Sequence, residues 1–279
     1  MNRRSFLVGA LAAGGGATAF SRHVLATGQR GTAAQSTGSA LARSVQMCVF
    51  DTFGTVVDWH GSVSAEVEKL AREKGWKLDA VAFAEAWRAN YGPSRNLVRT
   101  GKLPWTKLDQ LHRMTLDDLL VRFKIEGLTE EEKVHLNKVW HRLHGWPDSP
   151  GGLARLKKRY VLSPLSNGNV ALLTDMAKFA GLPWVCILGS DIARHYKPDK
   201  EMYLMPGEFF DIPPSAVMMV AAHPDDLDSA KSYGRARPTS IVLSKTGPPA
   251  HTRPCLPPGG SISWRRISTT WPGSSGCEL

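Results

Sequence analysis

The chain predicts an α/β fold: a Rossmann-like, doubly wound parallel sheet core with a helical cap inserted after the first strand. An apolar run at residues 45–50 ends in one acid, Asp51, and a glycine turn, as a buried parallel strand does. From Gly151 onward, strand and helix patterns alternate, which is the order of a parallel sheet connected by helices. Between these parts, residues 62–145 show mainly helical periodicity, so this block is predicted to be the cap.

The core is predicted to comprise residues 45–61 and 146–245, on either side of the cap. Apolar residues at three- and four-residue spacing predict cap helices over 62–74, 79–91, 106–123 and 129–143. Thr129 followed by Glu132 predicts a capping box at the last of these helices. Core strands are predicted at 160–164, 184–189 and 216–222, and core helices at 152–158, 170–180, 199–208 and in a last segment that ends at Tyr233.

The net charge of +10 is concentrated at the two ends of the chain. Residues 1–45 carry five arginines and no acid, and residues 231–279 carry seven basic residues against Glu278 alone. The part between them is therefore slightly negative. A nucleic-acid partner is not expected for such a body, because nucleic-acid binding needs a basic surface on the folded domain.

The first twenty residues have the form of a twin-arginine export signal. Arg3 and Arg4 precede a weakly apolar, glycine-rich run that begins at Phe6, and residues 27–44 are small and polar, as linkers are. The alternative is a plain extension on a cytoplasmic protein. We favour export of residues 1–44 as signal and linker, which predicts a periplasmic enzyme with no membrane association after export.

The four cysteines give no metal-site signal. Cys48 and Cys186 lie in apolar, strand-like runs and are predicted to be buried free thiols, whereas Cys255 and Cys277 lie near the C-terminus. No pair has metal-ligand spacing. An oxidising compartment would permit a disulfide, but nothing in the sequence requires one.

Polar residues follow the predicted strands at the points where those strands end. Asp51 follows the first strand, Ser166 and Asn167 follow the next, Asp226 follows the last, and Lys197 lies in a loop between them. Open α/β sheets bind ligands at this edge. Each residue has a plainer interpretation, such as a helix-capping acid, a turn or a surface lysine. Their recurrence after buried strands favours a catalytic site.

The combination resembles the haloacid dehalogenase superfamily, in which a nucleophilic Asp, a Ser or Thr, a Lys and a final acid follow successive strands. Phosphatases of that superfamily carry a second Asp two residues after the nucleophile, and here that residue is Phe53. The finer resemblance, over about residues 46–234, is to the type II 2-haloacid dehalogenases. The stretches that carry it are FDTFGTVVDWHGSV, AWRANY, VRTGKLPWTKLDQLHRMTLDDLL, LSNGN, YKPDKEMY and AAHPDDLDSAKSYG.

The resemblance implies hydrolysis of L-2-haloalkanoic acids to D-2-hydroxy acids. The Asp51 carboxylate attacks C2, expels halide and forms an ester, and water then hydrolyses the ester at the Asp51 carbonyl. One attack at C2 inverts its configuration. The implied partners are a small halogenated carboxylic acid and water, no cofactor or metal is implied, and relatives are often homodimers.

The resemblance also implies roles for the residues around the nucleophile. Thr55 supports Asp51, although it could simply cap the next helix. Lys197 orients Asp51 and pairs with the substrate carboxylate. Asp226 engages Lys197 and helps to activate the hydrolytic water.

A second group of residues is implied to bind substrate and halide. Arg88 on the cap receives the departing halide, although it could be a solvated helix arginine. Ser166 binds the substrate carboxylate and Asn167 cradles the halide, while Phe53 is expected to line the substrate site. His223 stands where the best-known pattern has an Asn that positions water, and it is retained as a candidate.

Two other functions stay open at this stage. A related hydrolase such as a phosphatase is disfavoured by Phe53, and a decayed, non-catalytic product is suggested by the C-terminal segment. Four histidines are predicted to be ordinary helix and loop residues; they are His60, His112, His141 and His144.

From about Arg235 the chain departs from the family pattern, and residues 246–279 are predicted to be an irregular tail. They are rich in Pro, Gly and Ser, contain a single acid, and lack helical spacing. Read from the third base of the preceding codon, codons compatible with SISWRRISTTWPGSS can spell FDLVAEDFDDLAGKL, an acidic amphipathic helix. The tail is therefore hypothesised to be the product of a frameshift near residues 234–239, with a genuine divergent tail as the alternative.

Overall fold

The computed structural model describes residues 44–234, and its core is a four-stranded parallel sheet. The order across the sheet is β5-β4-β1-β6, and a separate antiparallel pair is formed by β2 and β3. The bounds of the strands are Met47–Phe50 (β1), Val57–Asp58 (β2), His144–Gly145 (β3), Val161–Ser166 (β4), Leu188–Gly189 (β5) and Val217–Val220 (β6). This sheet with flanking helices is the predicted α/β class.

The helices connect these strands and form the cap. Their bounds are Trp59–Lys74 (α1), Ala80–Ala89 (α2), Tyr91–Arg99 (α3), Leu108–Arg122 (α4), Glu130–Asn137 (α5), Ser149–Lys157 (α6), Val170–Ala180 (α7), Ser190–Ala193 (α8), Lys200–Phe209 (α9) and Pro224–Ser232 (α10). Two 3-10 turns lie at Lys138–His141 and Pro214–Ala216.

The central strand β1 is buried on both faces. Its four residues, MCVF, are all buried, and they pair in parallel register with β4 on one side and β6 on the other. Cys48 and Phe50 belong to one apolar cluster, whereas Met47 and Val49 belong to a second. Because successive side chains of a strand point to opposite faces, helices can cover both sides of the sheet.

The cap lies between β2 and β3, which form the two-stranded pair at its base. Asp58 and Asp79 cap α1 and α2 by accepting from the backbone amides of Gly61 and Ala82. The capping box predicted at Thr129 is confirmed, since its side chain accepts from the amide of Glu132 and its own amide donates to that side chain.

Several predicted elements need correction. Helix α3 was missed, because Gly92 and Pro93 interrupt the helical pattern, although a proline is tolerated in the first turn. The predicted strand at 184–189 shrinks to Leu188–Gly189, and a short strand that was not predicted, β3, closes the cap. The predicted signal, linker and tail lie outside the described residues.

The two cysteines of the described region are both free thiols. Cys48 is fully buried as predicted, and burial raises the pKa of its thiol. Cys186 is only half-buried, so its predicted burial is wrong in degree, because β5 begins two residues later than the apolar run. No helix between residues 44 and 234 combines the length and apolar character that a membrane span needs.

Candidate active site

The carboxyl edge of the sheet brings the predicted residues together. Asp51 follows β1, Ser166 ends β4, and Asp226 lies in the first turn of α10 after β6. Lys197 lies in the loop between α8 and α9, and its side chain is only 7% exposed.

Asp51 is held in place through both its backbone and its side chain. Its backbone amide donates to the carbonyl of Val220 at 2.9 Å, which ties the loop after β1 to the neighbouring strand. Thr55 Oγ1 donates to Asp51 Oδ2 at 2.8 Å and accepts from the amide of Ala222 at 3.0 Å. Thr55 is fully buried, so this hydroxyl links the nucleophile candidate to the end of β6.

Lys197 Nζ lies between two buried carboxylates. It donates to Asp226 Oδ2 at 2.6 Å and contacts Asp51 Oδ1 at 3.5 Å. The second oxygen of Asp226 accepts from the hydroxyl of Tyr203 at 2.6 Å. The ammonium of Lys197 thus contacts both carboxylates, and its contact with Asp226 is the shorter one.

The charge balance keeps Asp51 ionised. Burial by itself would raise the pKa of Asp51, but the charges of Lys197 and His223 and the hydrogen bond from Thr55 hold that pKa below its ordinary value. Burial raises the pKa of Asp226, and the nearby Asp51 charge adds to this effect against the opposing pull of Lys197. Burial opposes the charge of Lys197, yet Asp226 and Asp51 together raise its pKa. The site therefore offers an unprotonated Asp51 beside a charged lysine.

Asn167 positions the lysine through the backbone. Its side-chain Oδ1 accepts from the amide of Lys197 at 2.7 Å, and its carbonyl accepts from Ser190 Oγ at 2.8 Å. Ser166 is fully buried at the end of β4, and its hydroxyl accepts from the amide of Gly168 at 3.3 Å. The loop after β4 is consequently tied to the loop that carries Lys197.

Arg88 reaches the site from the cap. Its guanidinium carbon lies 4.0 Å from the ring centre of Tyr91, 5.3 Å from that of Trp59 and 5.8 Å from that of Phe53. Stacking on aromatic faces suits a guanidinium. Phe53 is 2% exposed and has edge contacts with Tyr91 and Trp140, each at a centroid distance of 6.1 Å. At the position where a phosphatase of the superfamily would carry its second Asp, this chain therefore has a phenylalanine packed into an aromatic wall.

His223 lies at the mouth of the site. Its Nε2 is 3.1 Å from the carbonyl oxygen of Phe53 and 3.6 Å from Asp51 Oδ2, and its side chain is 38% exposed. Solvent therefore reaches the imidazole on one side while the other faces the nucleophile candidate.

Sequence reasoning missed several residues that surround the site. Tyr203 was not among the predicted site residues, and its hydrogen bond to Asp226 shows its polar role. Arg95 donates to the carbonyl of Lys197 at 2.9 Å, and its guanidinium carbon lies 4.1 Å from the ring centre of Tyr91. The spacing of Arg88, Tyr91 and Arg95 at three and four residues was a signal for this stack, although it was obscured by the break between α2 and α3.

Two histidines that were predicted to be ordinary make specific contacts. His141 bridges Asp109 Oδ1 at 2.9 Å and Asp175 Oδ2 at 2.8 Å, so it links α4 of the cap to α7 of the core. Burial alone would lower the pKa of His141, but the two carboxylates raise it above its ordinary value. His112 is buried and stacks on the ring of Trp140.

Among the described residues, no cluster of three or more His, Cys, Asp or Glu side chains is arranged to hold a metal ion. Asp226 already accepts from Lys197 and Tyr203, and Phe53 offers the site only a backbone carbonyl. The charged groups of this site are two carboxylates, one ammonium and one guanidinium.

A buried, ionised carboxylate at the carboxyl edge of a Rossmann-like sheet, covered by a helical cap, defines a class of hydrolase. A family model described as haloacid dehalogenase-like hydrolase matches residues 45–234. The chain therefore belongs to the haloacid dehalogenase-like hydrolases, and it is an enzyme of that family.

Two named enzymes and one solved structure are similar to this chain over most of their own length. (S)-2-haloacid dehalogenase 1 of Pseudomonas sp. (strain CBS-3) is 30% identical over 199 residues, which cover 68% of this chain and 82% of the relative. (S)-2-haloacid dehalogenase 4A of Burkholderia cepacia is 27% identical over 197 residues, with 68% and 80% covered. The crystal structure of a defluorinating L-2-haloacid dehalogenase matches with a TM-score of 0.67 and 44% identity, and covers 68% of this chain and 79% of that one.

Proposed function

We propose that the protein hydrolyses L-2-haloalkanoic acids to D-2-hydroxy acids through an ester on Asp51. The observation that carries the proposal is the Asp51 carboxylate itself, which is buried, held by Thr55 and Lys197, and kept ionised by its neighbours. A carboxylate oxygen that is desolvated and fixed in position is a competent nucleophile toward an alkyl halide. The relatives named (S)-2-haloacid dehalogenase support the same substrate class.

In the first step, an oxygen of Asp51 forms a bond to C2 of the substrate while the bond from C2 to the halogen breaks. The bonding electron pair leaves with the halide, so no proton is transferred. Attack from the side opposite the halogen inverts C2. Thr55 holds Oδ2 and Lys197 contacts Oδ1, which limits rotation of the carboxylate and keeps one oxygen directed at the substrate.

Binding of the substrate requires cations and hydrogen-bond donors, both for its carboxylate and for the halide that leaves. We assign the carboxylate to Ser166 and Lys197 at the edge of the sheet. We assign the halide to Arg88 and Asn167, because the Arg88 guanidinium lies over rings at the cap side of the site, where charge develops as the halide leaves. Phe53 then forms the apolar wall beside C2.

In the second step, water attacks the carbonyl carbon of the Asp51 ester. As the new C–O bond forms, water gives one proton to Asp226. The bond between the carbonyl carbon and the ester oxygen then breaks, and the ester oxygen takes the second proton of the water, which leaves the Asp51 carboxylate and the D-2-hydroxy acid. Asp226, whose pKa is raised by burial, suits the role of proton acceptor, and the exposed side of His223 suits the positioning of the water. Tyr203 and Lys197 fix the orientation of Asp226.

The test is halide release from L-2-chloropropionate by the wild type and by Asp51→Asn in parallel. The wild type should release chloride and form D-lactate, the D substrate should be inert, and the variant should be inactive unless its amide deamidates. Asp225→Asn is a matched control, because Asp225 is exposed and adjacent to Asp226. A folded wild type that releases no halide would contradict the proposal.

We further propose export through the twin-arginine route and a homodimer in solution. Replacement of Arg3 and Arg4 by lysines should leave the enzyme in the cytoplasmic fraction, and light scattering of the purified enzyme should give twice the chain mass. The frameshift hypothesis for residues 246–279 is tested by the coding DNA: it is wrong when no one-base change restores the acidic helix.

A further inference from the structure

The wall of the site on the cap side is a cluster of aromatic rings from several elements. His112 of α4 stacks on Trp140 at a centroid distance of 4.5 Å and an interplanar angle of 25°. The His112 ring also lies 6.3 Å from Tyr91, and Phe53 meets both Tyr91 and Trp140 at 6.1 Å. The cluster thus extends from His112 to the residue two positions after Asp51.

This cluster contains buried nitrogen atoms that lack hydrogen-bond partners. Among the described residues, Arg88 Nη1, both ring nitrogens of His112 and Trp140 Nε1 are buried and have no hydrogen-bond partner. By contrast, the indole of Trp87 in the same cluster donates to the carbonyl of His112 at 3.0 Å. His112 stacks on Trp140, and His112 and Arg88 both lie beside the Tyr91 ring. Buried donors are nearly always satisfied in proteins, so these unsatisfied side chains call for a ligand that accepts hydrogen bonds.

The chemistry of the cluster selects a small anion. The rings present positively polarised edges as well as N–H groups, and Arg88 adds a full positive charge above Tyr91. Burial lowers the pKa of His112 to about 3, so its imidazole is neutral at working pH and offers one N–H without a second charge. The substrate carboxylate is assigned elsewhere, because the buried ammonium of Lys197 lies at the sheet edge and can pair with it there.

We propose that His112 and Trp140 join Arg88 in binding the departing halide and thereby set the leaving-group preference of the enzyme. The inference rests on the proposed dehalogenation and deepens it. As the bond from C2 to the halogen breaks and the electron pair moves to the halogen, N–H groups of the cluster donate to the growing negative charge. No proton is transferred to the halide, so His112 remains neutral throughout.

The experiment compares His112→Leu, which removes the donor, with His112→Gln, which keeps a side-chain N–H. Trp140→Phe removes the second donor and keeps a ring. Trp146→Phe is the matched control, because it removes an indole N–H from the segment after β3. Each variant is assayed with L-2-chloropropionate and L-2-bromopropionate, and chloride is tested as an inhibitor at constant ionic strength. Circular dichroism and thermal unfolding report whether each variant is folded.

We expect His112→Leu to lower kcat/KM for the chloro substrate by on the order of 10²-fold. The loss should be smaller for the bromo substrate, because bromide accepts weaker hydrogen bonds and leaves more easily. The inhibition constant for chloride should rise by at least about 5-fold. His112→Gln should recover part of both effects, Trp140→Phe should reproduce them in weaker form, and Trp146→Phe should match the wild type.

Equal losses for both substrates with unchanged chloride inhibition in folded His112→Leu would overturn the proposal. If His112→Leu does not fold, the other two variants decide. The proposal is then overturned when the inhibition constant for chloride in both His112→Gln and Trp140→Phe equals that of the wild type. Broadening of the ³⁵Cl resonance in solutions of the resting enzyme measures chloride binding without any turnover. It therefore tests the halide site separately from the proposed dehalogenation. A wild type that binds chloride in a manner dependent on His112 and Trp140, but dehalogenates no 2-haloacid, contradicts the reaction alone.

Discussion

Removal of the Lys197 ammonium should destabilise the protein more than any substitution of a surface lysine. Lys197 Nζ contacts Asp226 Oδ2 at 2.6 Å and Asp51 Oδ1 at 3.5 Å, and the three side chains are 7%, 10% and 13% exposed in that order. Lys197→Met keeps the length of the side chain but leaves two buried carboxylates without their cation. Loss of one partner from a buried ion pair costs about 3–5 kcal/mol of unfolding free energy.

The pH dependence of this loss identifies its cause. Without Lys197, burial and mutual repulsion should raise the pKa values of both aspartates above their values in the unfolded chain. The folded variant then binds protons that the unfolded chain does not, so its stability rises as the pH falls. The deficit relative to the wild type should therefore be larger at about pH 8 than at about pH 5.

Urea unfolding at both pH values measures the deficit, and Lys200→Met is the control. Lys200 begins α9 three residues further on and is exposed, so its loss should cost less than about 0.5 kcal/mol. A deficit below about 1 kcal/mol in Lys197→Met, or a deficit that does not change with pH, would refute the reasoning.

Three further substitutions test other contacts. Tyr203→Phe removes the 2.6 Å hydrogen bond to Asp226 and should cost about 1.5–3 kcal/mol in urea unfolding, since the acceptor is charged. Thr55→Val removes the donor to Asp51 and should lower kcat by about 10- to 100-fold in the halide-release assay. His141→Gln should lower Tm mainly in acid. The raised pKa of His141 means that its contribution is complete below the unfolded value of about 6.5 and disappears as the pH rises through the folded value.

Each of these expectations has a contradicting result. Unchanged stability in Tyr203→Phe would mean that Asp226 does not depend on the phenol. A wild-type rate in Thr55→Val would remove this hydroxyl from the support of the nucleophile. A Tm deficit in His141→Gln that is equal in acid and in alkali would show that the contact between cap and core does not require a charged imidazole.

The sequence was enough to predict that the site residues lie close together, because the parallel arrangement of the strands brings their ends to one edge of the sheet. Asp51, Ser166 and Asp226 each follow a buried parallel strand, and such strands end at one edge. The short contacts could not be predicted in the same way. Tyr203 and His112 lie on helix faces, where an aromatic residue that packs and one that donates have the same spacing. Only their contacts in the folded protein distinguish them.

The helical character of the cap could be predicted from the sequence, but its contacts with the core could not. Helical periodicity revealed α1, α2 and α4, because each buries several residues on one face, and the capping box at Thr129 marked the start of α5. Helix α3 has no buried residue, so periodicity of apolar side chains could not reveal it. Its importance lies in Arg95 and Arg99, which bind the carbonyl of Lys197 and the carboxylate of Asp199 across the interface. Contacts of this kind depend on how the cap docks, which no local pattern encodes.

The central claim is that Asp51 forms a covalent ester, and isotope transfer in a single turnover tests it most directly. Enzyme in excess over L-2-chloropropionate is mixed in H₂¹⁸O, and both the product and the peptide that contains Asp51 are analysed by mass spectrometry. The account predicts one ¹⁸O atom in Asp51 and none in the hydroxyl of the first D-lactate formed, because that hydroxyl oxygen comes from the carboxylate. Label in the lactate hydroxyl with none in Asp51 would show direct attack by water and would contradict the account.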